Sequence, residues 1–283
     1  MVKSNLIYLL GAGRSGTTII ATVLGRHSQI ITIGEMHQFL DHLVEHRECS
    51  CGQSLAGCSF WKKIVNKLDM DSENLISWQQ SSNSKELHRK VPSLLLSQKG
   101  DSKYLEIHET IFDIINNSTL NNEFILDSSK YIARYLLLRK SQKINVKGIY
   151  VVRDVRGVIS SFKKKVQTSR SPISTVIYYS LINFFGQIIC WTDKNVIKIR
   201  YEDFMERPNE VLMKIYEHLN IENENIIVNE YQVPHIIGGN RLKHQSKIVL
   251  NKDEKWKENI PRHKQILYYL QAFPFMLMNK YNI

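Results

Sequence analysis

Five short stretches of the chain are continuously apolar or β-branched: Leu6–Leu10, Ile30–Ile33, Phe124–Leu126, Ile149–Val152 and Val196–Ile199. A strand with one wet face alternates apolar and polar positions. A run without alternation is covered on both faces, as in a parallel sheet with helices above and below. Between these runs, apolar positions recur at helical spacing over Thr17–Arg26, Phe60–Leu68, Tyr104–Ile115, Tyr131–Arg139, Val155–Val166, Ser174–Trp191 and Pro208–Leu219. Strand alternating with helix predicts an α/β fold, and ligands of such sheets gather beyond the carboxyl ends of the strands. The tract Trp78–Gly100, rich in Ser, Gln and Lys with Pro92, has no clean period and reads as an inserted loop between the second and third strands. Loops of that length commonly carry specificity.

Composition narrows the classes. The 283 residues are 43% hydrophobic and 23% charged, which excludes disordered, collagen-like and coiled-coil chains. No Pro/Gly/Ser linker or repeat interrupts the sequence, so one domain over 1–283 is expected. No continuous apolar run approaches the roughly 20 residues that cross a bilayer, and the N-terminus reads as a first strand rather than a signal peptide. With only four cysteines, a cytoplasmic setting is the expectation. Cys49, Cys51 and Cys58, with His46 nearby, suggest a partial zinc site, but the spacing departs from paired C-x₂-C and only three thiols are local. Reduced structural cysteines, or an opportunistic disulfide among them, are therefore expected rather than a metal. The net charge of +11 and the run Lys163-Lys164-Lys165 come without a nucleic-acid module. A polyanionic small ligand explains that field better.

The first run is followed by Gly11-Ala12-Gly13-Arg14-Ser15-Gly16-Thr17-Thr18 and then a helix. A glycine-rich turn at a helix N-terminus offers unpaired N–H groups to an oxyanion. Three uses compete. Gly11, Gly13 and Gly16 satisfy a dinucleotide fingerprint, with Glu35 ending the second strand where a ribose-binding acid would sit. A nucleoside triphosphatase loop needs Lys after the last glycine, where this chain has Thr17. The third use takes Arg14, Ser15, Thr17 and Thr18 as one fixed cation and a ring of hydroxyls around an anionic group.

A second cationic strand end weighs on the choice. Ile149–Val152 runs into Arg153-Asp154-Val155-Arg156, and Ser161 lies two turns into the helix beyond. A guanidinium and a hydroxyl so placed can clamp a further phosphate. The chain here resembles the sulfotransferases that use 3′-phosphoadenosine 5′-phosphosulfate (PAPS), in particular the bacterial branch and the tyrosylprotein and carbohydrate sulfotransferases. Arg14–Thr18 is similar to their 5′-phosphosulfate loop, and Arg153 with Ser161 to their 3′-phosphate motif. Further blocks follow in the family's order: Cys51-Gly52 with Cys58-Ser59-Phe60-Trp61, Asp127-Ser128-Ser129-Lys130, Arg200-Tyr201-Glu202-Asp203-Phe204, Gly239-Asn240-Arg241 and Asp253-Glu254-Lys255-Trp256. One departure is Val155, where the family usually has Pro.

The resemblance implies a P-loop-kinase-like α/β fold and sulfuryl transfer from PAPS to a hydroxyl or amine of a small-molecule, saccharide or peptide acceptor. It implies that Gly13, Arg14, Ser15, Gly16, Thr17 and Thr18 hold the 5′-phosphate, and that Arg153, Ser161 and Arg241 hold the 3′-phosphate. Arg14, which keeps its proton, would act as a fixed charge on the leaving phosphate. Glu35 is implied as general base, with His37 as runner-up, and a carboxylate in that role calls for a partly desolvated site. Lys130 and Ser129, ending the third strand beside the loop, are expected to hold sulfuryl oxygens or acceptor; Asp127 and Ser128 read equally well as caps of the next helix. A nucleotide kinase or phosphotransferase, or a nucleotide-binding protein without catalysis, are the alternatives, the last requiring Glu35 to point away from Arg14.

Overall fold

A computed structural model describes residues 3–119, 123–163, 170–224, 230, 231, 234–239 and 248–283. Five parallel strands form the central sheet: β1 (Ser4–Gly11), β2 (Ile30–Gly34), β3 (Phe124–Lys130), β4 (Ile144–Val152) and β5 (Val196–Arg200), in the order β2-β3-β1-β4-β5. All five coincide with the apolar runs. The absence of alternation has the expected cause, because helices cover both faces. Leu6, Tyr8 and Leu10 enter one core with Trp61, Tyr104, Phe112, Tyr135 and Tyr179. Ile7 and Leu9 enter another with Ile20, Leu24, Phe204, Leu212 and Ile215.

Helix α1 (Thr17–Leu24) follows β1, and α2 (Phe39–Val44), α3 (Trp61–Leu68), α4 (Ser72–Lys85), α5 (Val91–Leu96) and α6 (Ser102–Ser118) fill the interval between β2 and β3. The tract read as a loop is thus largely helical. Helix α4 buries only Ser82, which erased its periodicity. Asp71 caps its N-terminus through the Asn74 N–H at 2.8 Å, while Gln79 and Asn83 donate to Asp41 of α2. Caps and a lateral polar anchor hold this helix where an apolar stripe is missing.

Helix α7 (Ile132–Leu138) joins β3 to β4, and α8 (Val155–Phe162) and α9 (Pro172–Thr192) lie between β4 and β5. Val155 sits fully buried at the first position of α8, where Pro is otherwise favoured. Helix α9 is long and apolar enough to cross a membrane by length and composition alone, but half of it is buried inside the protein. Its polar residues pair internally: Tyr150 Oη donates to Asn183 Oδ1 at 2.6 Å, and Gln187 to Asn279 at 2.7 Å. Helices α10 (Tyr201–Glu206) and α11 (Pro208–Leu219) complete the second face. The C-terminal α12 (Trp256–Asn259), α13 (Arg262–Gln271) and α14 (Phe273–Met278) were not anticipated from the pattern.

Connections run leftward from β1 to β2 and β3, then rightward to β4 and β5. The carboxyl ends of β1, β3 and β4 therefore bracket the point where strand order reverses, the usual place for a ligand.

Candidate active site

At that point lies a cleft of about 600 Å³ lined by Gly13, Arg14, Gly16, Thr17, Thr18, Glu35, His37, Gln38, Arg47, Lys130, Tyr131, Phe162, Arg170 and Tyr178. Its floor is the turn between β1 and α1. Arg14 has φ 71° and Gly16 φ 89°, so two left-handed residues curl the chain back over the helix N-terminus. At Gly16 a Cβ would stand 2.3 Å from the Tyr201 ring, so both its φ and its neighbour exclude a side chain. The Gly13 N–H donates to Tyr178 Oη at 2.9 Å, and the Ser15 N–H to the Ala12 carbonyl at 3.2 Å. Ser15 Oγ is buried without a protein hydrogen-bond partner among the described residues. An orphaned hydroxyl in this turn fits an oxyanion seated on it.

The second strand end closes on the first. Arg14 Nε donates to Ser161 Oγ at 3.2 Å and its Nη2 to the Ser161 carbonyl at 3.3 Å. Arg153 Nη1 donates to the Arg14 carbonyl at 3.0 Å, and its guanidinium lies 4.3 Å from the Tyr201 ring centroid. Asp253 backs Arg153 from the far side through its carbonyl, 3.2 Å away, and its carboxylate, 3.5 Å away. Arg156 turns from the cleft, bonding Asp154 and stacking on Trp256. Two motifs separated by well over a hundred residues thus share one hydrogen-bonded surface.

Glu35 faces that surface from the end of β2 and is only 7% exposed. Its Oε1 pairs with Lys130 Nζ, and its Oε2 accepts from Gln38 Nε2 at 2.9 Å. Lys130 reaches it from the end of β3 with φ 72°. The backbone beneath is fixed by Asp127, which accepts from the Met36 N–H at 3.2 Å and from Ser129, while Ser129 Oγ accepts from the His37 N–H at 3.0 Å. Asp127 and Ser129 therefore brace the Glu35 turn. No side chain caps α7, which corrects the capping alternative for Asp127.

Sequence reasoning missed what holds Asp127. Arg134, fully buried on α7, donates to Asp127 at 3.0 Å and to Glu86 at 2.7 Å, and Tyr104 Oη donates to Glu86 at 2.7 Å. Glu86 sits just beyond α4, in the tract that read as a loop. An aromatic wall was missed as well. His37 lies 4.3 Å from Tyr131, which stacks on His88 at 5.1 Å, and Arg170 lies 4.5 Å from the Tyr178 ring centroid. Burial first, then the Lys130 charge, hold His37 well below the ordinary imidazole range, so its ring is neutral. Arg241 and Asn240 fall outside the described residues, as do Lys164 and Lys165.

The cleft brings together a glycine-rich turn at a helix N-terminus, the side chain of Arg14 and the Glu35 carboxylate, with Arg153 bonded to the Arg14 carbonyl. The profile of the sulfotransferase family matches residues 7–225. This chain belongs to the sulfotransferase family. Among solved structures, the sulfotransferase domain from the curacin biosynthetic pathway is similar at 17% identity, with both chains covered in full and a TM-score of 0.63. A sulfotransferase domain from the Synechococcus PCC 7002 olefin synthase is similar at 15% identity, over all of this chain and 96% of that one, with a TM-score of 0.55. These likenesses establish the P-loop-kinase-like fold. No curated protein matches closely enough in sequence to count as a relative. The segments that meet at Arg14, Arg153 and Ser161 lie within the residues that the family profile matches.

Proposed function

We propose that the protein, as a single catalytic domain, transfers the sulfuryl group of the donor substrate PAPS to a hydroxyl or amine of an acceptor. One observation carries the reading: Arg14, whose side chain is tied to Ser161 and whose carbonyl is held by Arg153, lines the same cleft as the buried carboxylate of Glu35. The turn Gly13–Thr18 would receive the 5′-phosphate, with Ser15 Oγ gaining its missing partner. Arg153 and Ser161, with Arg241 from the later loop, would receive the 3′-phosphate.

In the transfer step the acceptor oxygen attacks sulfur and its proton passes to the Glu35 carboxylate. The bond between sulfur and the 5′-phosphate oxygen breaks, and its electron pair stays on the phosphate beside Arg14. Fixed charges and positioning supply most of the acceleration in group transfers of this kind. Lys130, already on Glu35, is placed to hold the sulfuryl oxygens and to keep the carboxylate aimed. Glu35 is preferred to His37, because its carboxylate lines the cleft beside Lys130 whereas the His37 ring packs against Tyr131. The aromatic residues His37, Tyr131, His88 and Tyr178 suit an acceptor with an apolar or ring portion.

Calorimetric titration with 3′-phosphoadenosine 5′-phosphate, beside ATP and NADH, tests the donor site. Preference for the 3′-phosphorylated nucleotide is expected, with Arg153→Ala weakening it by roughly 10- to 100-fold, as for loss of a charged hydrogen-bond set. Tighter binding of ATP or NADH would return the loop to a kinase or dinucleotide role.

A further inference from the structure

A second constellation lies away from the donor clamp. Cys49, Cys51, Cys58 and His235 each aim one ligand atom at a common point, and all four atoms lie within 4.8 Å of one another. Cys58 Sγ is 3.8 Å from Cys49 Sγ and 3.3 Å from His235 Nδ1. A tetrahedral zinc ion with Zn–S near 2.3 Å and Zn–N near 2.0–2.1 Å separates its sulfurs by about 3.8 Å and sulfur from nitrogen by about 3.6 Å. The Cys49–Cys58 spacing matches that geometry, the Cys58–His235 spacing of 3.3 Å is slightly short of it, and the group as a whole, spread over up to 4.8 Å, would draw together on binding. His46, the neighbour suggested by sequence, is not part of the group. The fourth donor comes from 177 residues beyond Cys58.

The backbone around the group is built to hold it. Cys49 and Cys51 flank a tight turn in which the Cys49 N–H donates to the Gln53 carbonyl at 2.8 Å and the Gly52 N–H to the Cys49 carbonyl at 3.0 Å. Gly52 has φ 80°, as the turn demands. Cys58 is fixed by its N–H to the Ser54 carbonyl at 2.9 Å. On the other side, Ser50 Oγ donates to the Pro234 carbonyl at 2.6 Å and accepts from the Ile236 N–H at 3.0 Å. Trp61 Nε1 donates to the His235 carbonyl at 3.2 Å, and Phe60 stacks on the His235 ring.

We propose that Cys49, Cys51, Cys58 and His235 bind one zinc ion in a closed structural site. Three sulfurs and one imidazole are a donor set for zinc rather than for hard cations, and four protein ligands leave no position for a substrate. A Cys49–Cys58 disulfide would strand Cys51 and His235. Binding is redox-neutral: three thiols release their protons and become thiolates on the metal, and His235 coordinates through neutral Nδ1.

The site has a structural consequence that rests on the proposed role of Glu35. The segment carrying His235 continues into Ile237, whose N–H donates to the Ile33 carbonyl at 3.1 Å and whose carbonyl accepts from the Glu35 N–H at 2.7 Å. At Gly238 a Cβ would meet Glu35 Cβ at 3.0 Å. Zinc would therefore pin the strip of chain against which the catalytic turn rests, making the four ligands positioning residues.

The test begins with the full chain, purified without added metal or a histidine tag. Elemental analysis is expected to find one zinc per chain, released when the thiols are modified with a mercurial. Cobalt(II) loaded after chelation is expected to show thiolate charge-transfer and tetrahedral ligand-field bands. Cys51→Ser, at an exposed position where no core packing is lost, and His235→Ala should each lower zinc affinity at least tenfold, whereas Cys190→Ser should leave it unchanged. Hydrogen exchange at Glu35 and Ile237 should quicken on zinc removal whether or not transfer activity is assayed. Zinc below about 0.1 per chain with no uptake of cobalt, or a Cys49–Cys58 disulfide in freshly purified protein, overturns the site. Zinc binding in a chain that fails to prefer the 3′-phosphorylated nucleotide would leave the site standing and remove only its link to catalysis.

Discussion

The two walls of the cleft are built on different principles. The wall proposed to hold the donor consists of strand ends and turns tied together largely through backbone groups: Arg153 to the Arg14 carbonyl, Gly13 N–H to Tyr178, Arg14 Nη2 to the Ser161 carbonyl. Its geometry follows from glycine conformation and helix placement. The Glu35 wall is held by buried charge, a chain from Glu86 through Arg134 to Asp127 and Ser129, with Lys130 on the carboxylate itself. A phosphate needs fixed donors, which backbone supplies at little cost. A carboxylate that accepts a proton in a dry site, the role proposed for Glu35, needs an electrostatic frame to hold its direction. The contrast predicts that substitutions on the donor wall change nucleotide affinity, whereas those on the other wall change turnover or folding.

Glu35→Gln gives the sharpest separation. It keeps shape and the capacity to hydrogen-bond but removes the proposed proton acceptor, so kcat is expected to fall by about 10³-fold or more, toward the upper range for general-base loss. Affinity for 3′-phosphoadenosine 5′-phosphate, measured by calorimetry, should stay within about threefold, because the donor wall touches none of the lost charge. Comparable losses in both quantities would mean that the walls are not separate.

Arg134→Ala probes the frame. The guanidinium is wholly buried between Asp127 and Glu86, and removing one partner of such an array leaves two carboxylates without their counter-charge. A loss of about 3–5 kcal/mol in unfolding free energy is expected. Urea denaturation measures it directly, and Arg134→Met with Glu86→Gln together should recover part of the loss. A single Arg134→Ala cost below about 1 kcal/mol would show that the network is not what steadies the wall.

This asymmetry also governs what could be read from the chain. Elements defined locally were legible: the uninterrupted runs of all five strands, the Gly-rich turn before α1, and Arg153 at its strand end with Ser161 two turns on. The start of β4 was read late, because Asn145 is exposed and Lys147 half-buried, breaking the run before Ile149. Helix α4 was hidden because it is polar on nearly every face. Arg134, Glu86 and His235 were invisible for another reason. Each looks like an ordinary surface residue until distant segments converge on it, Arg134 on Glu86 across 48 residues and His235 on Cys58 across 177. Burial and partnership, not residue type, give them meaning.

The smallest expected effect is a pH slope arising from the same frame. His108 lies among Arg134, Glu86, Ser82 and Tyr104, with Arg134 Nη1 3.4 Å from its Nδ1 and Glu86 Oε1 3.8 Å from its Nε2. Burial, then the Arg134 charge, hold its pKa well below 6.5. The folded state therefore keeps the ring neutral while the unfolded chain protonates it, so stability is complete above about pH 7 and falls as pH drops through 6.5. His37 and His88 are shifted in the same direction and add to the slope. Glu86 has the opposite sign near pH 4.5: burial raises its pKa, and the proton it retains when folded favours the native state at the acid end. The histidine contribution is therefore read between pH 7.5 and 5.5, where each group can cost up to about 1.4 kcal/mol per pH unit. The urea midpoint should be lower at pH 5.5 than at pH 7.5 in wild type, and the two values should converge in His108→Gln. An unchanged slope in that variant would assign the effect to the other histidines whose pKa is held down, His37, His88 and His218.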